Sequence, residues 1–146
     1  MTARRANGFT LLEVLVVLTI LALAGGVVWP SVASGLDTLR LKSAASRLGN
    51  TLRYARERAV RRHSVCQVTV DPAAHTVVLE EFGEPSFRRS WELPTEVLIR
   101  ADRPRSFLFS PDGGAPQIVV TLANGRGHTA EVEFDLLAGT PKVEVR

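Results

Sequence analysis

The chain has very little cysteine, and this absence limits what it can be. Cys66 is the single cysteine among 146 residues, so an intrachain disulfide cannot form. It lies in the alternating segment Val65–Val70, which predicts a strand with one buried face. We therefore interpret Cys66 as a buried, unreactive thiol rather than as a nucleophile.

Neither sign of charge dominates the sequence. There are 18 Lys and Arg against 15 Asp and Glu, which gives a formal net charge of +3. Two of the cations, Arg4 and Arg5, lie in residues 1–8, which contain no acid, so the remainder has 16 cations against 15 anions, or +1. So small an excess does not by itself indicate nucleic acid as a partner.

The residue patterns of enzymes and metal sites are also missing. No serine lies in a G-x-S-x-G motif, which excludes a nucleophile elbow. The three histidines, His63, His75 and His128, stand apart from one another and from the single cysteine. The glycines at 113–114 and 125–127 precede predicted strands rather than helices, which excludes a phosphate loop, and no clustered Asp or Asn residues indicate a calcium loop. We predict no enzymatic activity, no cofactor and no metal.

One long apolar segment, Phe9–Trp29, stands out against these absences. Its 21 residues contain one charge, Glu13, and two other polar side chains, Thr10 and Thr19. A helix of this length measures about 32 Å, enough to cross a bilayer core of about 30 Å. A carboxylate inside the hydrocarbon costs about 2.5–3.5 kcal/mol, and less near a helix end. An ionisable residue in such a place is a candidate functional residue, so Glu13 needs a partner.

A cut between Gly8 and Phe9 would supply that partner. The new α-amino group of Phe9 would lie one helical turn from Glu13. In a packed assembly, the amino terminus of one subunit could then pair with Glu13 of its neighbour. Such a pair would offset much of the cost of burying the two charges separately.

The residues around this bond match a known signal. Gly8, Phe9 and Glu13 lie in G-F-T-L-L-E, after two arginines and before the apolar span. This arrangement resembles the class III signal of type IV pilins and type II secretion pseudopilins. The resemblance implies that a prepilin peptidase cuts after Gly8 and methylates Phe9, and that Glu13 acts in assembly. Pro30 matches a proline that many of these proteins carry, and a proline inside a helix predicts a kink.

Two other interpretations of the apolar segment are open. Ala22-Leu23-Ala24 has the A-x-A pattern of an ordinary secretory signal, and the segment could also be a plain signal anchor. Neither gives Glu13 a role, so we favour the pilin-type signal. The basic residues Arg4 and Arg5 then keep the N-terminus cytoplasmic. We expect a single-pass protein of the inner membrane with its head in the periplasm.

A second helical pattern runs from about residue 31 to Arg62. Its apolar residues recur every three or four positions and so form one face, which comprises Leu41, Ala44, Ala45, Leu48, Leu52, Ala55 and Ala59. From Ser64 onward the pattern changes to seven or eight short strands, with no helix between them. Their predicted ranges are 65–70, 76–82, 86–93, 97–101, 106–109, 117–122, 129–135 and 142–146.

These elements predict an α+β protein. We expect one long N-terminal helix, transmembrane in its first half, packed on a mostly antiparallel β-sheet head in a pilin-like arrangement. The predicted divisions are residues 1–8 as leader, 9–29 as the transmembrane and assembly helix, 30–63 as the periplasmic half of the helix, and 64–146 as the β-rich head.

The head has a resemblance of its own. The spacing A-x-x-L-x-x-x-L-x-x-A-R-x-x-A from Ala45 to Ala59, the segment Val68–Pro72 and the turn Phe109–Gly113 are similar to the H-type minor pseudopilins and related FimT pilins, the GspH/FimT family. The resemblance implies a minor pseudopilin that assembles through its N-terminal helix and helps to export folded proteins across the outer membrane. It implies as partners the prepilin peptidase, other major and minor pseudopilins, inner-membrane lipid and secreted cargo.

The alternative is a FimT-like type IV minor pilin that captures DNA for uptake. DNA-capturing members have a G-R-x-R stretch, whereas this chain has Gly125-Arg126-Gly127-His128 and lacks the second arginine. Arg126 is the candidate nucleic-acid contact, and the missing arginine argues against nucleic acid as a partner.

Two charged clusters of the head are interpreted as solvated surface. The arginines between 53 and 62 could contact phosphate in lipid or DNA, but their distance from the membrane boundary favours a solvated helix face. The acids Glu80, Glu81 and Glu84 are interpreted as surface charge on a strand and a turn.

Overall fold

A computed structural model describes residues 10–135 and 138–146, without the side chains of residues 24–34. Helix α1 runs from Leu11 to Arg62. Thr10 lies just before it and accepts hydrogen bonds at its carbonyl from the amides of Glu13 and Val14, at 3.1 and 3.2 Å. The helix continues through position 30, so the one long helix is confirmed, whereas the kink at Pro30 stays a prediction.

The C-terminus of α1 is capped by His63 rather than by a glycine. The Ser64 amide donates to the Ala59 carbonyl at 3.2 Å, and the His63 amide donates to the Val60 carbonyl at 3.4 Å. His63 has a left-handed backbone with φ of 51°. These are the two hydrogen bonds of a Schellman motif, which turns the chain directly into the first strand.

The described residues of the head form eight strands in two antiparallel sheets. Strands β1 (Val65–Asp71), β2 (Thr76–Phe82), β3 (Phe87–Glu92) and β5 (Arg105–Phe109) form the first sheet in the order β3-β2-β1-β5. Strands β4 (Val97–Ile99), β6 (Ile118–Asn124), β7 (Thr129–Asp135) and β8 (Thr140–Val145) form the second in the order β4-β6-β7-β8. The α+β class and all eight strands are confirmed, with bounds within two residues of those predicted. The division into two sheets was not predicted.

The core lies between α1 and the inner faces of both sheets. The predicted apolar face of the helix is buried, with every one of its seven residues at most 4% exposed. Alternate residues of β1 and β7 are buried in the same way, as period-2 patterning requires. Phe109 of β5 and Phe134 of β7 meet edge to face, with ring centroids 5.8 Å apart, and so join the two sheets.

Gly49 allows the helix to approach the second sheet closely. A Cβ atom at position 49 would lie 2.8 Å from the Cβ and 3.2 Å from the Cγ of Pro141 in β8. Glycine inside a helix costs about 1 kcal/mol relative to alanine. Here α1 and β8 can pack this closely only because residue 49 has no side chain.

The boundary between two compact units falls between Leu36 and Asp37. The core residues named above all belong to the second unit, which extends to Arg146. Within the described residues, no helix meets both the length and the hydropathy of a membrane span. The division into leader, membrane helix, periplasmic helix and head stays a prediction.

Candidate functional site

Glu13 lies in the first turn of α1 and is exposed to solvent. Its amide donates to the Oγ1 atom of Thr10 at 3.3 Å. Thr10-Leu11-Leu12-Glu13 therefore has the T-x-x-E spacing of a capping box, in which the acid also favours the helix N-terminus by about 0.3–1 kcal/mol. Sequence reasoning missed this local role of Glu13, although its signal was present. Gly8 and Phe9 lie outside the described residues.

The first turns of α1 expose apolar side chains on all sides. Each large apolar residue from 11 to 23 is between 43% and 86% exposed; these residues are Leu11, Leu12, Val14, Leu15, Val16, Val17, Leu18, Ile20, Leu21 and Leu23. A helix that is apolar all round is stable only in an apolar environment, such as lipid or a bundle of other helices. This segment therefore needs something outside the second unit to cover it.

A buried ion pair joins the end of α1 to the first sheet. The Nε atom of Arg58 donates to Glu81 in β2, and their side chains are only 16% and 5% exposed. The hydroxyl of Ser64 donates to the other carboxylate oxygen of Glu81 at 2.8 Å, and Arg58 Nη1 donates to the Tyr54 hydroxyl at 3.1 Å. The guanidinium also lies 3.9 Å from the ring centroid of Phe87. The interpretation of Arg58 and Glu81 as solvated charges was wrong, because their tertiary pairing allows both to be buried.

Burial and hydrogen bonding shift the pKa values of both members of the pair and of the neighbouring Cys66. The hydrogen bond from Ser64, together with the hydrogen bond and the positive charge of Arg58, holds the pKa of Glu81 below its ordinary value, although burial acts in the opposite direction. Burial acts to lower the pKa of Arg58, but its hydrogen bonds to Glu81 and Tyr54 outweigh this and raise it. Burial raises the pKa of the Cys66 thiol, which lies directly opposite Glu81 in the sheet. Cys66 is fully buried, as expected, and its protonated thiol is a poor nucleophile.

Arg56 holds two turns together at the same end of the helix. Its Nε atom donates to the carbonyl of Gly113 at 3.1 Å. A Cβ atom at Gly139 would lie 1.7 Å from its Nη1 atom, so the second turn packs directly on the guanidinium. Both glycines have left-handed backbones, with φ of 86° and 65°. Arg56 was also misinterpreted as solvated, and its contacts with these two turns explain the difference.

Arg126 forms an ion pair with the start of the second unit. The Nε atom of Arg126 lies 2.8 Å from the Asp37 carboxylate. The side chain of Asn124 orders the loop between β6 and β7, because its Oδ1 atom accepts hydrogen bonds from the amides of Arg126 and His128 at 3.1 and 3.0 Å. Arg40 lies 3.8 Å from Asp37 and 2.6 Å from Glu96, so the network ties the start of the second unit to two loops. The charge of Arg126 is balanced within the head, which gives no support to a nucleic-acid contact there.

The fold and these sites define a class of protein. Its members have one long helix. The N-terminal part of the helix exposes apolar side chains, and its C-terminal part packs against an antiparallel β-rich head. This is the architecture of a pilin-like filament subunit. The minor pseudopilin EpsH from the type 2 secretion system of Vibrio cholerae has the same fold, with a TM-score of 0.59 and 11% sequence identity over 72% of this chain and 96% of that one.

The sequence relationship is more specific. Residues 3–29 match the prokaryotic N-terminal methylation motif, and residues 44–137 match the family described as type II transport protein GspH. The chain is 31% identical to the type II secretion system protein H of Xanthomonas campestris pv. campestris over 142 residues, which are 97% of this chain and 79% of the relative. This chain belongs to the GspH family of type II secretion pseudopilins. The predicted family is confirmed, and the DNA-capturing FimT alternative is not favoured.

Proposed function

We propose that this chain is anchored in the inner membrane by a single N-terminal span, holds its head in the periplasm, and joins the pseudopilus that exports folded proteins. The observation on which this rests most is the uncovered apolar beginning of α1, where the described large apolar residues from 11 to 23 are all exposed. The match of residues 3–29 to the prokaryotic N-terminal methylation motif supports a processing site at the start of this segment.

The proposal includes the chemistry of the N-terminus. A prepilin peptidase cuts between Gly8 and Phe9 and methylates the new amino group. The Glu13 carboxylate then pairs with the amino terminus of a neighbouring subunit as the helices pack. Two charges that are each expensive in hydrocarbon are stabilised as one pair. The other partners are major and minor pseudopilins, membrane lipid and the secreted cargo.

The intact mass of the protein isolated from membranes tests the proposal. We expect a mass that corresponds to a chain beginning at Phe9 with one added methyl group. A Gly8→Val variant should keep the full-length mass, because a side chain at this position blocks the peptidase. A chain that begins at Gly25 would indicate an ordinary secretory signal, and an uncut wild-type chain would indicate a plain anchor. Either result would refute the proposed N-terminus.

A further inference from the structure

The first sheet has an open edge beside α1. Strand β3 is its outermost strand and pairs only with β2, so the other side of β3 has no partner strand among the described residues. The amide of Leu93 donates to the carbonyl of His75 at 2.8 Å, so the hydrogen-bonding groups of residue 93 face β2. These groups alternate in direction along an antiparallel strand. The N–H and C=O groups of Arg88, Ser90 and Glu92 therefore point to the open side.

A groove of about 420 Å³ lies between this edge and α1. Arg89 and Trp91 of β3 form one side, and Ser46, Arg47 and Asn50 of the helix form the other. The guanidinium of Arg47 stacks on Trp91, with Cζ 4.4 Å from the ring centroid. We call this site the Trp91 groove. A strand added to β3 would place alternate side chains in it, because opposite side chains of paired strands lie on the same face of the sheet.

The charge of the Trp91 groove favours a carboxylate. Arg47 and Arg89 are its two charged lining residues, and within the described part of the chain no salt bridge reaches either of them. Arginine binds a carboxylate through two parallel hydrogen bonds. Trp91 and Leu79 also line the groove and offer apolar surface next to the two cations.

Arg89 makes the open edge selective. A charge on the inner face of an edge strand prevents pairing with most other strands, because an added strand would bury that charge without a partner. A strand with a carboxylate on the same face removes this cost. The edge therefore requires a peptide backbone, which nucleic acid lacks, and the groove requires an acid on that peptide.

The edge strands of this chain do not provide such an acid. Among the described strands the other edges are β4, β5 and β8, and neither β4 nor β5 contains an acid. Glu144 of β8 already pairs with Lys142 and Arg146, at 2.7 and 3.3 Å. Glu92 of β3 lies on the opposite face of its strand from Trp91, so pairing of β3 with itself would leave the groove without a carboxylate. The observations favour a different protein as the partner.

We propose that the open edge of β3 binds an extended segment of a different pseudopilin by strand addition. The backbone of this segment pairs with the open N–H and C=O groups of β3. One of its carboxylates enters the Trp91 groove and pairs with Arg47 and Arg89, and an apolar side chain two positions away lies against Trp91. The segment therefore has an acid and an apolar residue in alternate positions.

This inference rests on the proposed function, which places the chain among other pseudopilins in one filament. Subunits held side by side by their N-terminal helices have a high effective concentration, so a weak contact between heads is sufficient. The six residues of β3 form too small an interface for a stable complex of free proteins.

Photo-crosslinking of the full-length chain in secretion-competent cells tests the contact. The variant is Ser46→p-benzoylphenylalanine, which places a photoreactive side chain at an exposed position that lines the groove. We expect a cross-link to another pseudopilin. Mass spectrometry should locate the attachment in an extended segment that has an acid within two residues.

Ser90→Pro in this background tests the backbone pairing. The amide of Ser90 points to the open side, so proline removes a donor from the edge and leaves the hydrogen bonds between β2 and β3 in place. We expect the yield of the cross-link to fall about tenfold, because an acceptor of the partner strand is left unpaired. Ser90→Thr keeps the amide and should leave the yield unchanged.

Charge reversal tests the carboxylate. Arg47→Glu with Arg89→Glu should reduce the yield on the order of tenfold or more, because the partner's acid then meets like charges. Arg88→Glu is the matched control, because Arg88 lies next to Arg89 but pairs with Glu80 at 3.2 Å and does not line the groove. It should leave the yield unchanged. Chemical denaturation shows which variants are folded, and the reversed arginine pair decides alone if Ser90→Pro is not.

The proposal is overturned by the absence of a cross-link, by a cross-link to a second copy of this chain, to nucleic acid or to secreted cargo, or by a yield that either folded variant leaves unchanged. The intact mass of the same samples and their co-isolation with other pseudopilins separate this result from the proposed function. A mature, co-isolating chain without the cross-link refutes the contact alone, whereas an uncut chain refutes the proposed function.

Discussion

Apolar side chains are exposed at the beginning of α1 and form a buried core in the head. In the head, the core residues of the helix and of both sheets are at most 8% exposed, so the unit from Asp37 to Arg146 covers its own apolar surface. From Leu11 to Leu23, the large apolar residues are all exposed, and a single acid lies among them. The head is therefore stabilised by contacts within the chain, and the beginning of the helix by contacts that only lipid or other subunits can provide.

The same contrast applies to the charged residues. Glu81 is buried in the head and has its partners, Arg58 and Ser64, within the chain. Glu13 is exposed, and within the described residues only its backbone amide has a recorded hydrogen bond, to Thr10. A buried acid with internal partners indicates a structural role. Glu13 has no such partner for its side chain among the contacts of the residues that the structure describes, and the proposed function supplies one in the assembly.

The largest effect is expected from Glu13. We expect Glu13→Ala to leave the chain processed and membrane-inserted, but to reduce its incorporation into filaments on the order of tenfold or more, because the neighbour's amino terminus loses its counter-charge. Incorporation is measured as the fraction of the protein that co-isolates with other pseudopilins.

Glu13→Gln separates pairing from capping. Glutamine satisfies the T-x-x-E/Q capping box but has no charge. If assembly depends on the ion pair, Gln should fail as Ala does. Normal incorporation of the Gln variant would show that Glu13 serves only to cap the helix.

The next largest effect is expected from Glu81. Glu81→Gln leaves Arg58 buried without its counter-charge, and we expect the free energy of unfolding of the head to fall by about 3 kcal/mol, at the lower end for a broken buried pair because Arg58 keeps some exposure. Glu80→Gln is the control on the same strand, and its exposed pair with Arg88 is worth about 0–1 kcal/mol. Chemical denaturation measures both variants. Equal losses would contradict the buried pair.

The same pair predicts how stability depends on pH. The pKa of Glu81 is lower in the folded head than in the unfolded chain, so its contribution is complete above the unfolded value of about 4.3. The contribution is lost as the pH falls from there through the folded pKa. Wild-type stability should therefore decrease more steeply below pH 4 than that of Glu81→Gln. Parallel curves would contradict this assignment.

A smaller effect is expected where the helix meets β8. Gly49→Ala places a methyl group 2.8 Å from Pro141, which costs about 1–3 kcal/mol by overpacking, less about 1 kcal/mol gained in helix propensity. We expect the head to be destabilised by about 1 kcal/mol, measured by denaturation. Gly35→Ala is the control, because nothing lies within 4 Å of its added Cβ. It should not destabilise the chain, and loss of stability in both variants would indicate a general effect of helical glycines.

Local patterns predicted most of the fold, because each element follows from its own residues. Period-2 alternation predicted strands such as β2 and β7 at their observed bounds, and the spacing from Leu41 to Ala59 predicted the buried face of the helix. The division into two sheets depends on β4 pairing with β6 and not with β5. That choice depends on contacts between distant strands, which no local pattern specifies.

The sites divide in the same way. Glu13 was found because a charge inside an apolar run is visible in the sequence, and the capping spacing with Thr10 was equally visible but was not used. Arg58 and Glu81 are 23 residues apart and are adjacent only after β2 returns to the helix, so nothing local distinguishes them from solvated charges. Pairing within one element can be predicted from sequence, whereas pairing between elements needs the fold.

The smallest effect is expected from Arg126, and it tests whether the head has any role apart from assembly. Its pair with Asp37 is partly exposed, so Arg126→Ala should lower the free energy of unfolding by about 0–1 kcal/mol, with a smaller difference at high salt because exposed pairs are screened. Arg103→Ala removes an exposed cation elsewhere in the head and should change stability still less. Both proteins and the wild type are also titrated with duplex DNA at low salt. An arginine whose charge is balanced by Asp37 should give no binding that depends on position 126, whereas salt-sensitive binding lost only in Arg126→Ala would restore the DNA-capture alternative.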